Sequence, residues 1–125
     1  MSKSNDLENA ILDHALGTSA MAFDASVVVG LFSDDPGEAA GGTELTGFGY
    51  ARQAVVFGSA VAGSASNSGA VTFTPSGGNW TQATHAYIFN STGDRRYYGT
   101  LTTPRTGVDG EPLVFEIGSI VITED

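Results

Sequence analysis

From residue 25 onward the apolar positions fall in short runs divided by glycine, proline, serine and asparagine. "ASVVVGLF" (25–32) is continuous and rich in β-branched residues, the pattern of a buried strand. "GYARQAVVF" (49–57) alternates, with Tyr50, Arg52, Ala54 and Val56 on one face and Ala51, Gln53, Val55 and Phe57 on the other. "GSAVAGSASNSG" (58–69) reads as a weak strand and a turn, "AVTFTP" (70–75) as a short strand and "SGGNW" as a turn. "TQATHAYIFN" (81–90) sets Ala83, His85, Tyr87 and Phe89 against Thr84, Ala86 and Ile88. "STGD" (91–94) is a hairpin turn in which Gly93 can take positive φ. "RRYYGTLT" (95–102) is the returning strand and "PRTGVDGEP" (104–112) a further turn. "LVFEIGSIVITE" (113–124) supplies one or two last strands, interrupted at Gly118.

Upstream the period is helical. Asn5 is placed to cap a helix, with Glu8 three residues on as in a capping box. Leu7, Ala10, Ile11 and Ala15, with His14, share one face, and Gly17 suits the C′ position. A helix this short must dock on something. There is no βαβ alternation, internal repeat or linker. The expected architecture is all-β: an antiparallel β-sandwich or barrel-like single domain over 1–125, with an N-terminal helical segment (1–17) and a sandwich (25–124).

Composition narrows the function classes. The chain has 125 residues, enough for a core without covalent staples. It has no cysteine, which excludes disulfides and thiolate metal sites. Fourteen acids against five bases give a formal charge of −9, which opposes sequence-independent binding to a phosphate backbone. No run approaches the roughly 20 apolar residues of a membrane span, and the N-terminus lacks the pattern of a secretory signal. No nucleic-acid or membrane partner is expected; synthesis and use in the cytoplasm, or in something assembled there, is.

Candidate chemistry is sparse. The nucleophile-elbow, P-loop, HExxH and CxxC signatures are absent. Asp34, Asp35, Glu38 and Glu44 could offer oxygens to Ca²⁺, but they lack EF-hand spacing. Asp-Asp-Pro-Gly is equally a turn sequence, and it is read as one, in a mobile or partner-ordered loop feeding a strand. His85 reads as a half-buried structural residue. No carboxylate pair is placed for general acid–base work, so neither enzymatic activity nor a cofactor is expected. Trp80, Tyr87, Tyr97 and Tyr98 could form a sugar platform; the competing reading makes Trp80 a core plug.

"GTELTGFGYARQAVVFG", "NSGAVTFT", "NWTQATHAYIFN" and "RRYYGTLTTPRTGVDGEPLVFEIGSIVIT", together with the "LENAILDHALG" helix, resemble a family of small tailed-bacteriophage virion proteins. Its members are often labelled tail fibre proteins, and some are head decoration (cement) proteins. The resemblance covers nearly the whole chain and carries no catalytic motif. It implies a structural protein of the virion. The first expectation is a decoration protein that binds the outside of the major capsid lattice and stabilises it by mass action. The alternative is a tail or tail-fibre component contacting tail proteins or the host surface. The expected partners are the major capsid protein or other virion proteins, and further copies of the chain. Expected contact residues are Leu7 and Ile11 of the helix, Asp34, Asp35 and Glu44 of the loop, and Arg95, Arg96 and Tyr97 of the hairpin, arginine and tyrosine being enriched at interface hot spots.

Overall fold

The computed structural model describes residues 1–39 and 41–124. In chain order the elements are β1 (Ser2–Lys3), α1 (Asn5–Ala15), β2 (Val27–Phe32), β3 (Gln53–Val55), β4 (Ser64–Ser66), β5 (Val71–Phe73), β6 (Ala83–Asn90), β7 (Arg95–Arg105), β8 (Leu113–Phe115) and β9 (Val121–Thr123). A five-stranded sheet runs β1-β7-β6-β2-β3, and β4-β9 and β5-β8 form two-stranded ribbons. All pairings are antiparallel. The all-β expectation with a single short helix holds.

The apolar run 25–32 becomes β2, flanked by β3 and β6. The two-residue period sends Val29 and Leu31 to one face, where they join Ala86, Ile88, Val71, Phe73, Leu113 and Phe115 in the main core under the ribbons. Val28 and Phe32 go to the other face, with Tyr87, Phe89 and Tyr98. The alternation read for 81–90 holds from Ala86 to Phe89 and breaks earlier. The register shifts between Ala83 and His85, so Ala83 enters the main core rather than the face of Tyr87. His85 is half-buried, its ring nitrogens within hydrogen-bond distance of the Thr84 and Thr100 hydroxyls (2.8 and 3.3 Å).

Three boundaries differ from expectation. The strand read over 49–57 contracts to Gln53–Val55, because Tyr50 turns back to donate its N–H to Gly47 O (3.0 Å). β7 runs to Arg105, past the point where Pro104 suggested a turn. Between the pairs His85↔Thr100 and Ala83↔Arg105, residues 101–104 arch away with no β6 partner, so Pro104 costs no ladder bond. β1 was too short to read. The 91–94 turn is as expected, with Gly93 at φ 89°.

The loop opening with "DDPGE" does not wait for a partner to order it. Leu45 N–H donates to Leu31 O and Ser33 N–H to Thr43 O, both at 3.0 Å, so 43–45 extends the sheet along β2 beyond β3. Asp34 accepts from Thr43 N–H (2.6 Å), Asp35 from Gly37 N–H (2.9 Å), and Pro36 is buried.

Candidate functional site

The helix is held by one end. Its N-cap is Ser4, one residue before the expected Asn5. Ser4 Oγ accepts from Leu7 N–H (3.2 Å) and donates to Arg95 O (2.7 Å), while Ser4 N–H donates to Arg96 O (2.8 Å). Asn5 cannot make that second attachment to β7, which explains the shift. The far end closes in a Schellman motif, with Thr18 N–H on Asp13 O (2.9 Å) and Gly17 at positive φ, as expected for C′.

Burial falls away along the helix. Leu7 is buried and Ala10 and Ile11 are half-buried, but His14 and Ala15 are exposed. Leu12 (55%) and Leu16 (77%) are largely exposed, and Phe23, on the connection to β2, is 91% exposed. That connection is tied down at Asp24, whose carboxylate receives Arg96 Nε (2.7 Å) and Asn90 Nδ2 (3.2 Å). Arg96 holds the Asp24 carboxyl below its ordinary value, against the opposing effect of burial. Met21 N–H donates to His14 Nδ1 (3.1 Å), closing the 14–21 segment on itself.

Beside this arm lies an apolar groove of about 340 Å³, walled by Leu7, Val27, Phe57, Ile88, Tyr97 and Ile122. Met21 forms part of its edge on the arm side. Its charged rim is internally matched: Arg96 pairs with Asp24, and Lys3 pairs with Glu124 (2.8 Å). Lys3, then Tyr97, hydrogen-bond Glu124 and hold its carboxyl below the usual range. A second concavity of about 420 Å³ lies along the arched part of β7, against Val114, Phe115 and Ile120.

The residues proposed from sequence as contacts do not form one patch. Leu7 is inside the chain, and Ile11 is half-buried beside it. Asp34 and Asp35 are exposed but bond within their loop. Glu44 accepts from Tyr50 Oη (2.7 Å) and from Arg52 Nε and Nη2 (both 2.9 Å). Burial acts to raise the Glu44 pKa; the hydrogen bonds from Arg52 and Tyr50 and the charges of Arg52 and Arg95 outweigh it and hold the carboxyl low. Burial, then Glu44, pushes the Tyr50 hydroxyl far up.

Arg95 lies over the rings of Tyr87 (4.7 Å) and Phe32 (5.3 Å) and donates to Gly41 O (3.0 Å). Arg96 and Tyr97 belong to the groove. The exposed Leu12, Leu16, Met21 and Phe23 were missed. Their signal was present: Leu12 and Leu16 fall off the helix's core face, and 15–23 carries no charge in a chain of fourteen acids.

The acids of the opening loop do not converge, and no group of His, Asp and Glu that could hold a metal occurs among the described residues. The sugar platform is not assembled either. Trp80 is buried in the main core with Nε1 donating to Phe48 O (3.0 Å), Tyr87 is fully buried, and the two lie on opposite faces of the sheet.

What the surface offers is an arm tied at Ser4 and at Asp24 with an apolar helix tip between them, an apolar groove with a matched rim, and a β-body. No curated protein matches the chain. Residues 2–123 match the family described as Podophage GP4 fiber I protein gp80, and with nearly every residue covered the chain belongs to that family of tailed-phage fibre proteins.

Proposed function

We propose that the chain is a non-enzymatic structural subunit of a podophage fibre that attaches to a neighbouring virion protein through the tip of its N-terminal helix. The observation that carries this reading is the gradient of burial along α1. Its first turn is fixed to β7, while Leu12 and Leu16 are presented to the outside. A helix fixed at its first turn and apolar at its tip supports docking on an adjacent subunit, because large exposed aliphatic side chains mark contact surfaces when they cluster. Binding to the assembled particle alone would couple this contact to particle stability by mass action.

The test is the protein composition of purified particles, with heads separated from tails, for the parent chain and for Leu12→Asp/Leu16→Asp. A low copy number in the tail fraction, lost in the variant, supports the fibre reading. A high copy number in the head fraction replaces it with the capsid-decoration reading. Full incorporation of the variant would move the contact away from the helix tip.

A further inference from the structure

We infer that the apolar groove beside the arm receives the arm segment of a second copy of this chain, with Phe23 as the inserted side chain. The groove is bounded by Val27, Phe57, Ala65, Ile88, Tyr97 and Ile122 and encloses about 340 Å³, at the lower end of the roughly 300–1,000 Å³ of sites that enclose a bound group. Among the described residues its rim presents no unmatched charge, since Arg96 is paired with Asp24 and Glu124 with Lys3. An occupant that brought a charge would find no counter-charge to replace its water.

The chain itself contains a segment of matching character. Residues 15–23, ALGTSAMAF, carry no charge, although the chain as a whole carries −9. Phe23 within it is 91% exposed, the largest exposure among the large apolar side chains. The acid next to Phe23, Asp24, is already paired with Arg96, so the segment brings no unpaired acid to the contact in a protein whose charge otherwise resists association.

The copy that owns the groove cannot fill it. Asp24 is fixed on the rim by Arg96 and Asn90, so Phe23 is one residue from a tether and turned outward. Met21 already contributes to the groove's edge, and its N–H is held by His14 Nδ1. The arm forms one side of the groove and offers Phe23, its most exposed apolar side chain, to another molecule. Leu7, at the groove's base, is thereby used within the subunit, and Phe23 between subunits.

The absence of cysteine makes the test clean. Sedimentation equilibrium of the purified full chain should give at least twice the protomer mass. Phe23→Ala should raise the dissociation constant roughly tenfold or more, the expected effect of removing one buried aromatic side chain, and Phe23→Asp should give a monomer with unchanged circular dichroism. Ala60 also lines the groove, so separately purified Phe23→Cys and Ala60→Cys chains, mixed and oxidised, should form a disulfide joining one variant to the other. A parent chain that stays monomeric up to its solubility limit overturns the inference. So does association that survives Phe23→Asp, or a Phe23→Cys/Ala60→Cys double variant that closes within one chain at monomer mass. These measurements need no particle, so their failure would leave the fibre reading standing, and a head location would leave this contact standing.

Discussion

On one face of the five-stranded sheet, Val29, Leu31, Ala86 and Ile88 meet the strands of two ribbons; on the other, Phe32, Tyr87 and Phe89 meet a loop and two guanidinium groups. The first face is closed by aliphatic and aromatic packing, with Phe73 against Tyr50, Trp80 and Phe115 at ring distances of 5.9–6.3 Å. The second is closed by cation–π contacts: Arg52 lies 3.6 Å above Phe89, and Arg95 spans Tyr87 and Phe32. Glu44 anchors Arg52 from the loop. The difference shows how a glycine-rich acidic loop can replace a layer of strands, given aromatic rings beneath it and arginines to lie on them. Within the fold, residues 34–39 and 41–45 are a lid on the sheet, with Gly37 O accepting from Tyr87 Oη and Gly41 O from Arg95.

The comparison breaks most visibly at Phe73. Phe73→Ala opens a cavity in the strand-packed face and should cost about 3–5 kcal/mol in denaturant unfolding. On the loop-covered face the sensitive point is Gly30. A Cβ there would stand 2.6 Å from Glu44 Oε2 and 3.0 Å from the Phe89 ring, because the loop carboxylate descends onto the strand where no side chain blocks it. Gly30→Ala should cost about 1–3 kcal/mol by overpacking. The loss should shrink when Glu44→Ala is already present, since the carboxylate is the nearest obstacle; a double-mutant cycle measures that coupling.

Acid distinguishes the two faces next. The Glu44 carboxyl titrates below its ordinary 4.5 in the folded chain, so the unfolded chain takes up the proton first. Its stabilisation is complete above about pH 4.5 and is lost as pH falls through the folded value. The stability gap between the parent and Glu44→Gln should thus be constant near neutrality and close below that pH, whereas the deficit of Phe73→Ala should persist. Asp24 and Glu124 shift in the same direction, and comparison with Glu44→Gln separates their contribution. The smallest expected effect is at the groove rim, where Glu124→Gln weakens an exposed pair and should cost less than about 1 kcal/mol.

The strand-packed face was largely legible in the sequence, because alternation and β-branched runs report directly on burial. Val27–Phe32, Val71–Phe73 and Ala83–Asn90 all fall inside the segments read as strands. The loop-covered face was not legible. Nothing local to Glu44 announces that it will meet Tyr50 and Arg52 above Gly30, and nothing local to Arg95 announces the ring of Tyr87. The N-cap was misplaced by one because Ser4 is chosen by its bond to Arg95 O, 91 positions away. For the contact surface, helical periodicity found the buried Leu7. The exposed Leu12, Leu16 and Phe23 were legible only as apolar residues off that face and in an uncharged stretch, a signal that does not by itself say that the body ends before it covers them.

The pairing pattern also sets an order of events in time. β6 and β7 are joined by a four-residue turn and can zip locally, but β2 finds β6 across the whole lid and both ribbons' first strands, and Lys3 meets Glu124 across 121 positions. Such topologies fold slowly, because long loops must close before their contacts repay the lost entropy. The Ser4 cap needs the carbonyls of Arg95 and Arg96, so α1 cannot be secured until that hairpin exists. During synthesis the VVVGLF strand meets residues 43–45 and β3 first, and its other edge stays open until β6 emerges. The N-terminal helix must wait for the hairpin at 83–105, whereas the last two strands close onto β5 and β4.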